Sequence, residues 1–187
     1  MGGYRAGAAV TGFPMSPDRR DDFLSRLQPD ARLEDVYHIT PEYLRALGLR
    51  GLALDLDNTI VPYGDNRENL RLTIWVAGLS AAGVRAVLVS NAMPERVRLW
   101  SGRLGVPGLA LAGKPWPWGF RRAARRMKLA PSEVAVVGDQ LFTDVLGGKL
   151  AGSFTILVTP ISSNSLPHTR LARYAERLLL SRSHGEV

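Results

Sequence analysis

Hydrophobic and polar positions alternate in blocks from residue 51 onward. Five short apolar runs occupy residues 51–56, 84–89, 108–111, 133–137 and 154–158. Stretches with helical spacing lie between them, near residues 68–82, 94–104, 117–128 and 143–151. Alternation of this kind predicts repeated βαβ units and a parallel sheet of five strands. The runs are continuously apolar, as strands covered on both faces should be, so the pattern predicts a three-layer α/β/α fold.

The segments that flank this block carry weaker signals. Residues 1–20 are rich in Gly, Ala, Pro and Arg, show no periodicity, and are predicted to form a mobile arm. Thr40-Pro41 predicts the start of a helix that ends at Gly48, and further helices are predicted near residues 21–27 and 168–181. We therefore expect one domain over residues 21–182 and a tail at residues 183–187, within a chain of 187 residues.

The composition is that of a soluble globular protein, with 45% hydrophobic and 22% charged residues. Because the chain has no cysteine, disulfides and cysteine metal sites are excluded. No apolar stretch approaches the roughly 20 residues of a membrane span, and residues 1–10 lack the apolar core of a signal peptide. The sequence therefore predicts a cytoplasmic protein whose membrane contact is at most peripheral. The formal net charge of +7 favours anionic partners such as phosphorylated substrates, nucleic acid or acidic lipid surfaces.

Polar residues stand where the predicted strands end. In chain order they are Asp55, Asp57, Ser90, Asn91, Lys114 and Asp139, and Asp144 follows the last of them. The carboxyl ends of parallel strands meet at one edge of a sheet, where ligands bind, so we expect these side chains to converge. Paired carboxylates at such an edge suit attack by one acid and proton transfer by the other. Taken singly, Asp57 and Asp139 also fit turns and Lys114 fits an ordinary surface position. Ser90 also fits the cap of the helix that begins near Pro94, and Asp144 fits an N-cap. The ordered set nevertheless favours a catalytic site.

The same residues carry a resemblance to a known family. Asp-Leu-Asp-Asn-Thr at 55–59, Ser90 after an apolar strand, Lys114-Pro115, and Gly-Asp followed by an acid within 138–144 resemble the four motifs of haloacid dehalogenase (HAD) superfamily phosphatases. The segments 55–62, 138–145 and 147–149 resemble, more narrowly, the YqeG group of subclass IIIA, which is related to phosphatidylglycerophosphate phosphatases. The resemblance implies a HAD-like Rossmannoid fold with a five-stranded parallel sheet in the order 5-4-1-2-3.

The resemblance also implies a metal and a covalent route. Mg²⁺ would be held by the carboxylates of Asp55 and Asp139 and by the backbone carbonyl of Asp57, and hard oxygen ligands suit this ion. Asp144 would support the ion directly or through water. Asp55 would attack phosphorus to form an aspartyl-phosphate, and Asp57 would serve as acid and then as base. A second Asp at position 57 marks phosphatases and phosphomutases within the superfamily.

The remaining residues of the motifs are expected at the phosphate. By the same resemblance, Ser90 would donate a hydrogen bond to a phosphate oxygen, and Lys114 would balance negative charge on the nucleophile and the transferring group. Asn58 and Asn91 are further candidates for donating to phosphate. Thr59 is interpreted as a structural hydroxyl.

The spacing of the motifs leaves no room for a cap domain. Only 26 residues separate Asp57 from Val84, and 22 separate Asn91 from Lys114. One loop and one helix account for the residues of the first gap, and one helix and one strand account for those of the second. The site should therefore be open, which suits large or surface-bound phosphates.

The partner expected from the resemblance is an anionic phospholipid, phosphatidylglycerophosphate, with peripheral contact to an anionic membrane. Trp116 and Trp118 follow Lys114 and would either touch lipid or pack the start of the next helix. No basic segment is regularly interleaved with aromatic residues, so no specific nucleic acid is expected. Two alternatives stay open: a phosphatase of phosphoproteins or nucleic-acid ends, and a non-enzymatic binding protein.

Overall fold

Six parallel strands form the centre of the structure, a computed structural model that describes residues 24–162. They are β1 (Ala31–Leu33), β2 (Gly51–Leu54), β3 (Arg85–Val89), β4 (Gly108–Leu109), β5 (Val134–Gly138) and β6 (Phe154–Val158). Their order across the sheet is β1-β6-β5-β2-β3-β4, and every pair is parallel. The five strands expected from the apolar runs are all present in the order 5-4-1-2-3, which confirms the parallel α/β fold.

The sixth strand, β1, corrects the prediction of a five-stranded sheet. It is three residues long, has Arg32 at its centre, and pairs with β6 at one edge of the sheet. Asp30, just before it, accepts hydrogen bonds from the backbone N–H and the hydroxyl of Thr155, both at 2.8 Å. No apolar run marks this strand in the sequence, because its pairing depends on contacts with a segment far along the chain.

Five α-helices connect the strands: α1 (Pro41–Ala46), α2 (Leu70–Ala81), α3 (Pro94–Leu104), α4 (Trp118–Met127) and α5 (Leu146–Ala151). The predicted helix start at Thr40-Pro41 is confirmed, since the Thr40 hydroxyl accepts the backbone N–H of Tyr43 at 3.1 Å. The predicted helix at 143–151 needs correction, because a π-helical turn at Leu141–Val145 precedes α5. Short 3₁₀ turns occupy Val36–His38 and Pro131–Glu133.

The ends of the chain are only partly covered by these elements. Of the helix predicted at 21–27, residues 24–26 are helical, and residues 21–23 lie outside the described residues. The arm at 1–20, the helix at 168–181 and the tail at 183–187 also lie outside them.

Helices cover both faces of the sheet, which gives the three predicted layers. On β2, Leu52 and Leu54 face one core cluster and Ala53 faces the other, as alternate side chains of a strand must. The first cluster is completed by side chains of α2 and α3, and the second by side chains of α4 and α5. Each large apolar side chain buried in this way stabilises the fold by about 1.5–3 kcal/mol.

The connections at the carboxyl edge of the sheet are short, as the motif spacing predicted. Between β2 and β3 there is one loop and α2, and between β3 and Lys114 there are α3 and β4. No inserted cap domain is found within residues 24–162. Among the same residues, no helix combines the length and apolar character needed to cross a membrane.

Candidate active site

Three carboxylates and one ammonium meet at the carboxyl edge of the sheet. Asp55 follows β2, Lys114 lies in the loop after β4, Asp139 follows β5, and Asp144 lies on the π-helical turn. All four side chains are buried. The parallel topology accounts for the convergence, because each strand delivers its following residue to the same edge.

Lys114 bridges two of the carboxylates. Its Nζ lies 2.5 Å from Oδ1 of Asp55 and 2.6 Å from Oδ1 of Asp144. Burial by itself lowers the pKa of Lys114, but attraction to Asp144 and Asp55 outweighs burial and raises that pKa above its ordinary value. The lysine is therefore a permanent cation, which suits a residue that balances negative charge.

At Asp144, in contrast, burial favours the neutral form of the side chain and outweighs its attraction to Lys114. Burial raises its pKa, the neighbouring Lys114 lowers it, and the negative charges of Asp55 and Asp139 raise it again, to about 7. At Asp144, burial and the two neighbouring acids therefore outweigh the attraction of the ammonium. Buried carboxylates that repel one another are a setting in which a divalent cation binds well.

The geometry of the carboxylates fits a hard metal ion. Asp55, Asp139 and Asp144 each offer an oxygen, and the three oxygens lie within 4.8 Å of one another. The hydroxyl of Thr59 is 3.0 Å from Oδ2 of Asp55 and 3.4 Å from Oδ1 of Asp139, so it can donate to either carboxylate. Oxygen-only ligands of this kind are those that Mg²⁺ prefers. These contacts agree with the interpretation of Thr59 as a structural hydroxyl.

Gly138 allows Asp144 to reach the cluster. A Cβ atom at position 138 would lie only 2.2 Å from Cγ of Asp144, so no other residue fits without displacing that carboxylate. The backbone N–H of Gln140 donates to Oδ2 of Asp144 at 3.2 Å. The π-helical turn and the glycine together direct Asp144 inward, toward Lys114.

Asp57 lies apart from this cluster and has its own cation. Its Oδ1 is 2.6 Å from Nη2 and 2.8 Å from Nε of Arg96, in the first turn of α3. No pattern in the sequence marks Arg96 as a partner of Asp57. A single arginine early in a helix resembles an ordinary solvated residue, and its partner lies 39 positions away, so no local signal was available.

Ser90 lies at the predicted strand end and is buried. Its Oγ accepts the backbone N–H of Ala92 at 3.1 Å, which leaves the hydroxyl proton available for donation to a ligand. The alternative role as the cap of α3 is wrong, because the N-cap residue is Met93 and it provides no side-chain hydrogen bond.

The two asparagines bind protein groups in the structure. The side chain of Asn91 bonds both backbone polar groups of Lys114. Asn58 is buried with a left-handed φ of 64°, and its Oδ1 accepts from the N–H of Tyr63 and the hydroxyl of Ser162. Donation of a hydrogen bond to phosphate by either residue therefore stays a prediction.

Trp116 and Trp118 flank the site, with 63% and 65% of their surfaces exposed. This exposure argues against the interpretation in which both rings pack the start of α4. Tyr63, Met93 and Leu111, which also follow strand ends, are exposed as well.

The chain is similar to known proteins over most of its length. The HAD-hydrolase-like family matches residues 111–173. The protein of Bacillus subtilis (strain 168) named probable phosphatase YqeG is 41% identical over 153 residues, which cover 82% of this chain and 89% of that protein. The chloroplastic phosphatidylglycerophosphate phosphatase 1 of Chlamydomonas reinhardtii is 31% identical over 165 residues, which cover 82% of this chain and 61% of that protein.

The open parallel sheet has a buried cluster of acids at its carboxyl edge, and the similarity to probable phosphatase YqeG extends over most of both chains. The chain belongs to the HAD family and is a phosphatase that hydrolyses phosphoric monoesters. The predicted resemblance to the YqeG group is confirmed, and so is the expectation of an enzyme.

Proposed function

We propose that the protein is a Mg²⁺-dependent phosphatase that forms an aspartyl-phosphate on Asp55 and acts on phosphatidylglycerophosphate at a membrane surface. The observation that carries the chemistry is the buried cluster in which Lys114 bonds Asp55 while Asp139 and Asp144 stand beside them. The substrate is supported by similarity to a relative named as a phosphatidylglycerophosphate phosphatase, and by the exposed apolar residues around the site.

The metal would be held by the carboxylates of Asp55 and Asp139 and by the backbone carbonyl of Asp57, with Asp144 as a direct or water-mediated supporter. When bound, Mg²⁺ supplies positive charge that lets an anionic phosphate approach an anionic carboxylate. The residues fit this ion because three carboxylates each offer an oxygen and these oxygens lie within 4.8 Å of one another.

Residues of the chain act as the nucleophile and as the acid and base in the two chemical steps. An Asp55 oxygen bonds to phosphorus as the ester P–O bond breaks, and Asp57 gives its proton to the leaving alcohol. Water then attacks phosphorus, Asp57 takes a proton from that water, and the bond between phosphorus and Asp55 breaks to release phosphate. Lys114, 2.5 Å from Asp55, stabilises the charge that moves through the nucleophile. The hydroxyl of Ser90 is the proposed donor to a phosphate oxygen.

An apolar rim lies at the same edge of the sheet as this chemistry, and we define it as the exposed residues Tyr63, Met93, Leu111, Trp116 and Trp118. Every member follows the carboxyl end of a strand, so the rim lies at the same edge of the sheet as Asp55. Large apolar side chains are seldom left exposed together without a partner. Tryptophan and tyrosine favour the interfacial region of a bilayer, so the rim would bring the open site to phosphate groups at a lipid surface.

Charge would add to this attachment. The protein has a formal net charge of +7, and α4, which begins beside the rim, exposes Arg121, Arg122, Arg125 and Arg126. Each basic side chain near an anionic surface contributes about 1 kcal/mol. On this proposal the protein acts in the cytoplasm, reversibly attached to the inner face of an anionic membrane.

The substrate is tested by comparing kcat/KM for phosphatidylglycerophosphate in micelles, p-nitrophenyl phosphate and 5′-phosphorylated DNA, each with Mg²⁺ and with a chelator. We expect the lipid to be preferred and activity to vanish with the chelator. Replacement of a carboxylate ligand in Asp139→Ala should move the Mg²⁺ titration to higher concentration. Preference for DNA ends or for the soluble ester would contradict the lipid substrate, and activity that survives chelation would contradict the metal.

Membrane attachment is tested separately by vesicle co-sedimentation. Binding should rise with the anionic lipid fraction and fall with added salt. The variant Trp116→Ser/Trp118→Ser should bind less. A matched control is Leu47→Ser, because Leu47 is also exposed but precedes β2 and therefore lies at the opposite edge of the sheet. Equal loss of binding in both variants would contradict a role for the rim.

A further inference from the structure

Arg96 joins the proposed acid/base residue to the loop that follows it. We propose that Arg96 is a positioning residue, which holds the Asp57 carboxylate in place for proton transfer and fixes residues 62–66 beside the site. This inference rests on the proposed role of Asp57 as acid and base.

The contact with Asp57 uses one carboxylate oxygen. Nε and Nη2 of Arg96 both approach Oδ1, at 2.8 Å and 2.6 Å. Within the described part of the chain, no hydrogen bond to Oδ2 of Asp57 is present. Arg96 therefore restrains the carboxylate through one oxygen and leaves the other able to exchange a proton with a leaving group or water.

The same guanidinium binds the loop after the first motif. Nη1 donates to the carbonyl of Asp65 at 3.0 Å and to Oδ1 of Asn66 at 2.7 Å, and Nη2 donates to the carbonyl of Pro62 at 3.2 Å. A guanidinium is planar and rigid, so the positions of its partners are coupled to one another. Lysine, with a single nitrogen on a flexible stem, cannot bind this set together.

The two aspartates of the first motif thus receive different cations. Lys114 binds Asp55 from the loop after β4, and Arg96 binds Asp57 from α3. The Arg96 pair is only partly covered, with 16% of the arginine side chain and 17% of the aspartate side chain exposed. Without Arg96, the Asp57 side chain could rotate toward solvent. A displacement of about 1 Å in a reacting group can cost on the order of 100-fold in rate.

Arg103 serves as a control for the contacts that Arg96 makes with the loop. It lies farther along α3 and donates to the carbonyl of Asn66, so it binds the same loop. The structure gives it no hydrogen bond to Asp57 among the described residues. A variant of Arg103 therefore tests the loop alone, while a variant of Arg96 tests the loop and the carboxylate. Arg98, exposed on the same helix, is a control for the loss of an arginine.

The test uses two aryl esters of similar size, p-nitrophenyl phosphate and phenyl phosphate. Nitrophenolate leaves readily without a proton, whereas phenolate is a poorer leaving group that gains more from protonation by Asp57. The value of kcat/KM covers the steps up to phosphoenzyme formation, where Asp57 acts as acid. We expect Arg96→Gln to lower kcat/KM about 100-fold for phenyl phosphate and less than about 10-fold for p-nitrophenyl phosphate.

Further variants distinguish the positioning of Asp57 from a general loss of activity. Arg98→Gln should match the parent for both esters, and Arg103→Gln should change both by the same small factor. Arg96→Lys, which keeps the charge and is the second variant if Arg96→Gln folds poorly, should still show the selective loss. In the background of Asp57→Asn, Arg96→Gln should add no further selectivity between the esters.

Equal losses for the two esters in Arg96→Gln and Arg96→Lys, or no loss, would overturn the positioning role. A selective loss that persists in the Asp57→Asn background would also overturn it, because the effect would then not act through Asp57. If the parent protein hydrolyses none of the phosphomonoesters, the proposed function fails instead.

Discussion

Asn91 holds Lys114 by both of its backbone polar groups. The N–H of Lys114 donates to Oδ1 of Asn91 at 2.9 Å, and Nδ2 of Asn91 donates to the carbonyl of Lys114 at 3.1 Å. The two residues are 23 positions apart and follow different strands. A side-chain amide with one donor and one acceptor in use fixes the direction of the lysine backbone, and hence the path of its side chain toward Asp55.

Asn91→Ala should therefore lower turnover by loosening Lys114. We expect kcat to fall about 10–100-fold, the range found when a residue that orients a catalytic group is lost. The check is steady-state hydrolysis of p-nitrophenyl phosphate, with thermal unfolding to verify the fold. In a Lys114→Ala background the asparagine should have no further effect, since the group it positions is absent. If the two losses instead multiply, Asn91 acts on something other than Lys114.

Substitution of Asp55 and substitution of Asp57 should impair turnover in different ways. Asp55→Asn removes the nucleophile, so turnover should fall by several orders of magnitude and no phosphoenzyme should form. Asp57→Asn keeps the nucleophile but lacks the base for the second step, so phosphoenzyme should accumulate. Rapid acid quenching followed by intact-protein mass spectrometry distinguishes the two. Phosphate attached to Asp55→Asn would identify a different nucleophile.

Removal of the ammonium from the buried cluster should destabilise the protein. Lys114→Met leaves Asp55 and Asp144 without their cation, and the loss of one partner of a buried pair costs about 3–5 kcal/mol. Asp144→Asn should cost less, because burial and the nearby acids already raise the pKa of Asp144 to about 7, so a neutral side chain is tolerated there.

Urea denaturation in the presence of a chelator measures these differences in the free energy of unfolding. The double variant Lys114→Met/Asp144→Asn should recover part of the loss, because it has one uncompensated carboxylate fewer. Strictly additive losses would mean that the two groups do not interact.

The pH dependence of stability should reveal Asp30. Burial by itself raises the pKa of Asp30, but hydrogen bonds from Lys149 and Thr155 outweigh burial and lower that pKa below the ordinary 3.8. The stabilisation is therefore present above an unfolded-state pKa of 3.8 and is lost as the pH falls through the lower folded-state value. Asp30→Asn should cost about 1–2 kcal/mol near neutral pH, and the difference should shrink below about pH 4. A difference that does not change with pH would exclude the carboxylate charge as its source.

Much of the site could be predicted because its residues lie at the ends of apolar strands. Asp55, Ser90, Lys114 and Asp139 all occupy such positions, and a parallel sheet brings strand ends together whatever their separation along the chain. The position of a residue at a strand end does not identify Arg96, which lies on a helix. Its contact depends on how α3 packs against the loop after Asp57, and the sequence has no periodic signal for such packing.

The two errors in secondary structure have comparable causes. Strand β1 is held in place by Asp30, which bonds Thr155 at a separation of 125 residues, so its own three residues carry little information. The helix predicted at 143–151 begins inside the π-helical turn at Leu141–Val145. Its extra residue per turn follows from directing Asp144 into the cluster past Gly138, a tertiary requirement that local helix propensity does not express.

The lengths of the outermost strands bear on how the protein avoids self-association. An exposed strand edge has unpaired N–H and C=O groups that can template pairing with another molecule. Among residues 24–162 both edge strands are short, since β1 has three residues and β4 has two, whereas the interior strands are longer and almost wholly apolar. Short edges give a second molecule few backbone groups to pair with. The aggregation-prone sequences of β3, β5 and β6 are thereby kept inside the sheet, away from intermolecular pairing.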